Sequence, residues 1–296
     1  MSPGARSPRP EESARLSLFQ RAALRRLRRS AGKEGGEPLS PEDWTAVWAL
    51  HHTPQGRALH RIFARLPSSP RCCQCGAPFA GVGRLLTRPL GYRPSQKNPH
   101  YCATCVELSP PGGTTMQVGI LFADIRGFTS TSELNSAASM AAILRRFYGC
   151  AESVLFPEAI LDKLIGDAVM ALYLGVVHTQ DRAPAIMLGH AQRLLRAVGY
   201  GRAGGPFVEI GVGLDYGQAF VGNIGERSVH DFTAVGDVVN TASRLQGQAR
   251  GGEIVYSLRV AAHLASASGR PEELQLAGKR APEPAYRVAR PDGAAG

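Results

Sequence analysis

The chain has 296 residues, of which 44% are hydrophobic and 20% are charged, so it is long enough for one large core or for two domains. Its net charge of +10 comes from residues 1–115, which hold 17 Lys and Arg against 7 Asp and Glu, whereas residues 116–296 hold 17 of each. No apolar run approaches the roughly 20 residues of a membrane-spanning helix, and no secretory signal opens the chain. This composition argues against a transmembrane or exported protein and predicts a soluble, cytoplasmic one.

The first 40 residues are rich in Pro, Gly, Ser and Arg, which predicts a flexible basic arm. Inside it, "ARLSLFQRAALRRLRRSAG" has apolar residues at helical spacing and five arginines from Arg21 to Arg29. A basic amphipathic helix of this kind can make a peripheral contact with an anionic membrane surface, or bind nucleic acid or a protein partner. The favoured alternatives are a plain arm, or a helix that packs its apolar side on the rest of the protein.

After the arm, the pattern predicts a pair of helices. Ser40 can cap the first helix with Pro41 at its first position, and "TPQG" separates the two. His51, His52 and His60 lie near cysteines along the chain but are interpreted as solvent-facing or core histidines. Four segments are predicted: a flexible basic arm (1–40), a helical and zinc-ribbon-like segment (41–108), a linker (109–115) and an α+β domain (116–290).

Two Cys-x-x-Cys pairs lie in the second segment. Cys72 and Cys75 form the first pair, and Cys102 and Cys105 form the second, with 26 residues between the pairs. In a chain without an export signal, this pattern predicts a Zn²⁺ site of four thiolates, and a filled tetrahedron leaves no open position for catalysis. Cys73 is an alternative to Cys72, although its spacing to Cys75 is one residue short. Unrelated buried cysteines and a redox pair are the weaker alternatives.

The remainder of the chain alternates strand and helix patterns, which predicts an α+β domain around one sheet. A long helix is expected from Ser130, with Glu133 completing a capping box. The other expected elements are a strand in "MQVGILFADI", two strands joined at Gly166-Asp167, a helix over about 181–198, a strand that turns at Asp215-Tyr216-Gly217, a helix that Asp237 caps, a strand in "GEIVYS" and a final hairpin.

Two aspartates end or interrupt apolar strands beside glycine turns. Asp124 follows "ILFA" and precedes Gly127, and Asp167 follows Gly166. Paired carboxylates at adjacent strand ends suit hard divalent cations and a phosphate chain. Main-chain N–H groups of "RGFTS", at the start of a helix, would face an anion there. Each aspartate taken alone could be a simple turn former, but two with the same surroundings favour the metal interpretation.

Three separated motifs, "FADIRGFTSTSE", "DKLIGDAVMA" and "GNIGERSVHDFTAVGDVVNTASRLQGQARGGEIVYS", resemble the catalytic domain of the class III nucleotide cyclases, the adenylate and guanylate cyclases. The resemblance covers roughly residues 116–290. It implies a ferredoxin-like βαββαβ sheet with helices on one face, and the conversion of a nucleoside triphosphate into a cyclic nucleotide and pyrophosphate.

The resemblance also implies individual roles. Asp124, Asp167 and the carbonyl of Ile125 would bind two Mg²⁺ or Mn²⁺ ions per active site. Asn240 would orient the ribose, and Arg244 would stabilise charge on the phosphorus that is attacked. These last two residues are four apart and lie on one face of a helix.

Base selection falls to Lys163 and Thr233. A lysine is a donor only, so it can bind adenine N1 but not the N1–H of guanine, and a threonine can accept from the adenine amino group. Many bacterial adenylate cyclases that this sequence resembles carry this Lys/Thr pair, so the sequence resembles an adenylate cyclase that uses ATP. Further implied substrate contacts are Gly127, Phe128 and Thr129 at the phosphates, and Lys279, although Ala277 occupies one possible match for the phosphate-binding lysine.

In the family, the metal aspartates belong to one subunit and the Lys, Thr, Asn and Arg to the other. All six are present in this chain, which implies a head-to-tail homodimer with two equivalent sites. One alternative is a catalytically silent or guanylate-type cyclase domain that acts as a nucleotide-binding regulatory module. Another is a zinc-ribbon nucleic-acid binder, although its segment lacks aromatic residues interleaved for base stacking.

Overall fold

In a computed structural model of the protein, the described residues are 54–66, 69–73, 75–106, 112–174, 182–226 and 229–289. The predicted basic arm, the predicted first helix after Ser40, and the histidines at 51 and 52 fall outside them. The chain forms two compact units. One, called here the cysteine unit, contains residues up to Thr115 together with Phe220–Thr233. The other, the main unit, contains Met116–Ala219 and the residues from Ala234 onward.

The strands form one eight-stranded sheet in the order β2-β3-β1-β4-β6-β8-β7, with β5 paired to β4. The β4–β6 pair is parallel, whereas β1–β3, β2–β3, β6–β8 and β7–β8 are antiparallel. The strands are β1 (Gly112–Ile125), β2 (Ile160–Ile165), β3 (Ala168–Leu174), β4 (Ile210–Glu226), β5 (Val229–Val235), β6 (Ile254–Ser257), β7 (Arg270–Leu274) and β8 (Glu283–Val288). β1 thus begins inside the segment predicted to be a linker.

Helices and mostly antiparallel strands are both present around this one sheet, which confirms the predicted α+β fold class. They are α1 (Pro54–Arg65), α2 (Gly81–Thr87), α3 (Phe128–Leu134), α4 (Ala137–Leu155), α5 (Ala183–Val198), α6 (Asp237–Gln248) and α7 (Leu258–Ala261). None of the helices in the described part of the chain combines the length and the apolar character needed to cross a membrane.

The core of the main unit lies between the sheet and helices α4 and α5. Fully buried Leu121 of β1, Phe147 of α4 and Leu194 of α5 belong to one apolar cluster. Gly119 permits the close approach of α5, because a Cβ there would lie 2.1 Å from the sulfur of Met187. This packing holds the end of β1, and therefore Asp124, on a rigid base.

The single long helix predicted from Ser130 is wrong, because the chain breaks after Leu134 and restarts at Ala137 as α4. Ser136 has extended backbone angles, and its side chain accepts a hydrogen bond from the amide of Ser139 at 3.2 Å. Ser136 therefore caps a new helix, a role that serine fills better than a place in a helix interior. Leu134, the last residue before this break, is 87% exposed.

The turn predicted at Asp215-Tyr216-Gly217 is also wrong, because β4 continues through it without interruption. The Asp215 side chain is fully buried, and it accepts hydrogen bonds from the guanidinium of Arg259 and from the hydroxyl of Ser257. These donors from another part of the chain satisfy the carboxylate, so a turn is not required to place it in solvent.

Candidate active site

Two carboxylates meet where β1 ends and β3 begins. Asp124 pairs with Ala168 in the antiparallel β1–β3 ladder, and Asp167 directly precedes Ala168. The amide of Ile125 donates to the carbonyl of Asp167 at 3.3 Å. Gly166 has a φ of +61°, a left-handed conformation that favours glycine and reverses the chain between β2 and β3. The structure thus brings together the three positions predicted to bind metal.

The environment of Asp124 opposes its charge. Burial and the nearby charge of Asp167 raise the pKa of Asp124 to about 6, against the opposite effect of Arg126. One carboxylate oxygen, Oδ2, accepts hydrogen bonds from Arg126 at 2.9 Å and from Gln246 at 3.3 Å. The other, Oδ1, is buried and finds no hydrogen-bond partner among the described residues. An orphaned carboxylate oxygen beside a second carboxylate is a donor set that fits a hard divalent cation.

A cleft of about 490 Å³ opens beside the two aspartates. Gly127 has a φ of +67°, and its carbonyl accepts hydrogen bonds from the amide of Thr131 at 3.0 Å and from the hydroxyl of Ser130 at 3.0 Å. These bonds start α3 directly after the end of β1. The cleft is lined by Asp124, Ile125, Arg126, Gly127, Phe128, Thr129, Ser130, Glu133 and Asp167, which include all three residues predicted at the phosphates next to α3.

Helix α6 carries the predicted ribose and phosphorus residues, with Asn240 exposed and Arg244 half-buried. The prediction that Asp237 caps this helix is wrong, because Gly236 occupies the cap position and Asp237 is the first helical residue. Asp237 instead accepts a hydrogen bond from the hydroxyl of Thr241 at 3.3 Å. An acidic residue in the first turn also complements the helix dipole.

Lys279 lies at the start of α6. Its ammonium group is 3.0 Å from Asp237 and 2.9 Å from Glu283. Although burial opposes ionisation, the hydrogen bond and charge of Lys279, with the charge of Arg259, hold the pKa of Asp237 below its usual value. A Cβ at Gly278 would lie 3.2 Å from the Arg244 guanidinium. Because Gly278 directly precedes Lys279, the turn that carries Lys279 lies beside Arg244 of α6.

Sequence reasoning missed Arg259 entirely. Its guanidinium donates to buried Asp215 at 3.0 Å through Nε and lies 3.4 Å from Asp237 through Nη1. The hydrogen bond to Asp215 raises the pKa of Arg259, so this cation stays charged. Arg259 thereby links β4 to the start of α6. The only sequence signal was a lone aspartate in an apolar strand pattern.

The two predicted base-selecting residues lie on different strands. Lys163 is in β2, where its backbone is paired with Met170, and a register shift occurs between Leu161 and Lys163. The side chain of Lys163 falls outside the described part. Thr233 is in β5 and is 7% exposed. Lys163 belongs to the main unit, and Thr233 to the cysteine unit.

In the cysteine unit, the sulfurs of Cys72, Cys75, Cys102 and Cys105 all lie within 4.8 Å of one another. Cys75 and Cys102 are 3.6 Å apart, and Cys72 and Cys105 are 4.0 Å apart. Sulfurs placed tetrahedrally around Zn²⁺ would be separated by about 3.8 Å. Hydrogen bonds from the thiols of Cys102 and Cys105 lower the pKa of Cys72, which favours its thiolate form. The four cysteines therefore form a group able to hold a metal ion.

The chain turns at a glycine directly after the first cysteine pair. Gly76 has a φ of +74°, and its amide donates to the carbonyl of Cys72 at 2.9 Å. Cys73 is exposed and lies outside the group of four, so its alternative place in the ligand set is not supported. His60 is exposed and is not part of the group either.

Comparison with known proteins identifies the family. The profile described as "Adenylate and Guanylate cyclase catalytic domain" matches residues 112–286, more than half of the chain. The chain therefore belongs to the adenylate and guanylate cyclase catalytic-domain family. This result supports the motif-based resemblance, and the fold and the paired aspartates agree with it.

Individual relatives align with less than half of this chain, at about one-third sequence identity. An adenylate cyclase from Anabaena cylindrica is 33% identical over 138 residues, which are 45% of this chain and 28% of that protein. The terminal-differentiation-specific adenylate cyclase of Dictyostelium discoideum is 32% identical over 133 residues, 44% of this chain and 6% of that protein. The aligned region thus spans less than a third of either relative.

Solved structures of an adenylyl cyclase and of a guanylyl cyclase both have the same fold as this chain. The adenylyl cyclase CyaB from P. aeruginosa superposes with a TM-score of 0.53 at 24% identity, covering 60% of this chain and 95% of that one. The guanylyl cyclase Cya2 superposes with a TM-score of 0.52 at 26% identity, covering 60% and 94%. At these identities, membership of the family does not separate ATP from GTP as the substrate.

Proposed function

We propose that this protein is an adenylate cyclase that converts ATP into 3′,5′-cyclic AMP and pyrophosphate, in second-messenger signalling. The observation that carries the proposal is the pair Asp124 and Asp167, side by side at one end of the sheet, with an orphaned carboxylate oxygen next to a cleft. In the reaction, the ribose 3′-oxygen forms a bond to the α-phosphorus and loses its proton. The bond between the α-phosphorus and the oxygen that bridges it to the β-phosphate breaks, and pyrophosphate leaves.

Asp124, Asp167 and the carbonyl of Ile125 would hold two Mg²⁺ or Mn²⁺ ions. When bound, such ions neutralise the triphosphate and favour loss of the 3′-hydroxyl proton. The pKa of Asp124, raised to about 6 by burial and by Asp167, reflects two carboxylates that repel each other until a cation is shared. Arg126 partly fulfils that role here through its 2.9 Å ion pair with Asp124.

The phosphate chain would bind along the cleft. The main-chain N–H groups of Gly127, Phe128 and Thr129 are at the start of α3, where the backbone favours an anion. Lys279 is proposed as a further phosphate ligand. It would have to exchange its contacts with Asp237 and Glu283 for phosphate oxygens, because both carboxylates now occupy its ammonium group.

On α6, Asn240 would orient the ribose, and Arg244 would stabilise negative charge on the phosphorus during the attack. The exposure of Asn240 and the partial burial of Arg244 suit these roles, since one must meet the sugar and the other must hold a fixed direction. The turn at Gly278 lies beside the Arg244 guanidinium, since a Cβ there would come within 3.2 Å of it, and this closeness supports such a direction.

Base selection is assigned to Lys163 and Thr233, for the hydrogen-bonding reasons that favour adenine over guanine. The decisive experiment is product formation by the purified full chain with ATP or GTP, in Mg²⁺ and in Mn²⁺, analysed by chromatography. Cyclic AMP from ATP alone is expected. Cyclic GMP from GTP alone would replace the adenylate proposal with a guanylate one, the alternative raised by the similarity to Cya2. No product with either would favour a silent nucleotide-binding module.

A variant with Lys163→Glu and Thr233→Cys provides the matched test of the base assignment. A glutamate accepts from the N1–H and amino group of guanine, so the double variant should lose preference for ATP and gain activity with GTP. Loss of activity with both nucleotides, in protein that folds and dimerises, would argue for a role other than base selection.

We also propose that the active site forms between two chains in a head-to-tail homodimer. In the test, two inactive variants, Asp124→Asn and Asn240→Ala, are mixed in equal amounts, unfolded and then refolded together. Each mixed dimer restores one intact site, so the mixture should regain about a quarter of wild-type activity if subunits pair at random. A mixture as inactive as its components would contradict the shared site.

The four-cysteine group is proposed to hold one structural Zn²⁺. All four sulfurs are occupied in such a site, so the ion would hold the fold together and take no part in the reaction. The spacing of the sulfurs supports this assignment.

A further inference from the structure

The loop between the two cysteine pairs contacts strand β5. The ammonium of Lys97 lies 2.7 Å from a carboxylate oxygen of Asp231 and donates a hydrogen bond to the carbonyl of Phe232. The next residue is Thr233, proposed above to bind the base. The Lys97 side chain is only 14% exposed, so its charge is largely withdrawn from water and held by these acceptors. All four residues belong to the cysteine unit.

The position of Lys97 depends on the cysteine pairs. The Ser95 hydroxyl accepts from the amide of Lys97 at 3.0 Å, and the Ser95 amide donates to the carbonyl of Tyr101 at 2.8 Å. Tyr101 directly precedes Cys102, whose amide donates to the sulfur of Cys72 at 3.2 Å. A short chain of hydrogen bonds therefore runs from the cysteine group to Lys97.

Strand β5 needs such support. Among the described strands it pairs with β4 alone, at the side of the main strand order. A strand that is hydrogen-bonded along one edge only is held less firmly than a central strand, so contacts from other groups help to fix its position. Lys97 bonds to one side chain and one main-chain carbonyl within two residues of Thr233.

We propose that the cysteine unit positions the base-recognition strand of the cyclase, with Lys97 as the positioning residue. Zinc in the cysteine group would fix the loop that carries Lys97, and Lys97 would fix Asp231 and Phe232. Thr233, the next residue, would then be held in the position that hydrogen bonding to adenine requires. This inference rests on the proposed adenylate cyclase function. It gives the cysteine unit a role in substrate affinity and base preference, and it makes the site sensitive to zinc loss or thiol oxidation.

The test is Lys97→Met, which keeps an apolar stem of similar length but removes both contacts. The variant should retain its zinc, measured by metal analysis. Its KM for ATP should rise about tenfold and its preference for ATP over GTP should fall, because a charge-assisted contact is lost, while kcat changes less. Arg84→Met, on the exposed part of α2 in the same unit, is the matched control and should behave like wild type. Wild-type KM and base preference in Lys97→Met would overturn the inference.

If Lys97→Met fails to fold, Asp231→Asn replaces it, since the half-exposed Asp231 tolerates a neutral side chain and keeps the carbonyl contact. A rise in KM of about threefold is expected from loss of this partly screened ion pair, and no change would overturn the inference. Zinc is also removed from wild type and from Lys97→Met with a chelator, which is washed out before Mg²⁺ is added. Zinc removal should raise KM in wild type and add little in the variant. Independent, additive effects would contradict the proposed linkage.

Failure of the cyclase proposal is distinguishable from failure of this inference. Wild-type protein that makes no cyclic product overturns the proposed reaction. The same variants are then compared by their affinity for a fluorescent, non-cyclisable ATP analogue. Weaker binding in Lys97→Met than in Arg84→Met would support the positioning role, and equal binding would overturn it.

Discussion

The ammonium of Lys279 lies 3.0 Å from a carboxylate oxygen of Asp237, the first residue of the helix that carries Asn240 and Arg244. The lysine proposed to bind phosphate is thus paired with the start of the helix that bears two proposed catalytic residues. Phosphate oxygens would compete with Asp237 and Glu283 for the same ammonium group. Nucleotide binding and the charge balance at the start of α6 are therefore linked.

A double-mutant cycle with Lys279→Met and Asp237→Asn measures this link. Because the Asp237 side chain is 58% exposed, the coupling in urea unfolding should be about 0.5 kcal/mol or less and should shrink in high salt. In kinetics, Lys279→Met should raise the KM for ATP more than Asp237→Asn does. Equal changes in KM would show that Lys279 acts only through α6. A much larger coupling that does not shrink in high salt would contradict a solvent-screened ion pair.

Replacement of Asp124 should separate the reaction from the fold. Asp124→Asn keeps the shape of the side chain but removes the charge, so product formation should fall by about two orders of magnitude or more. The circular dichroism spectrum should remain close to wild type, and the Tm in metal-free buffer at neutral pH should not fall. Glu133→Gln is the matched control, because it removes an acidic charge from the same cleft at a position with no proposed metal contact. Comparable losses in both variants would argue against a specific metal role for Asp124.

The raised pKa of Asp124 predicts a particular pH dependence of stability. Its value of about 6 in the folded, magnesium-free protein lies above that of an unfolded aspartate, near 3.9. Between these values the folded state binds more protons than the unfolded state, so this group makes the protein less stable as the pH rises from about 4 to about 6.

This dependence is measured as the difference in Tm between wild type and Asp124→Asn from pH 4 to pH 8. The buffer contains no Mg²⁺ and no chelator, so that the cysteine group keeps any metal. Wild type should be stabilised relative to the variant on acidification, and added Mg²⁺ should stabilise wild type most at pH 7 and above. A Tm difference that is constant with pH would contradict the raised pKa.

The sequence predicted those parts of the site whose interacting residues lie close together along the chain. Asp124, Gly127 and Asp167 lie in contiguous strand-turn patterns, so local residue types indicated both the turns and the carboxylate pair. Ser136 and Asp215 were misjudged for opposite reasons. A local serine cap overrode the helical periodicity at Ser136, and donors from distant Ser257 and Arg259 removed the need for a turn at Asp215.

The contact of Lys97 with Asp231 had no sequence signal at all. Lys97 lies in no motif, nothing in the motif around Asp231 points to Lys97, and the two residues are 134 positions apart. An ion pair of this kind depends on two distant stretches of the chain folding into the same unit, which neither composition nor periodicity records. The cysteine pairs, by contrast, could be predicted because both cysteines of each pair lie within one short turn.

The cysteine group itself is tested by two neighbouring substitutions. Purified without a chelator, the wild-type chain should contain about one Zn²⁺, as a four-thiolate site requires. Cys75→Ser removes a buried member of the group, so it should lose the metal and lower the Tm. Cys73→Ser changes an exposed cysteine two positions away that lies outside the group, so it should keep both. Equal metal loss in the two variants, or a wild-type chain that binds no zinc from solution, would rule out a zinc site built from Cys72, Cys75, Cys102 and Cys105.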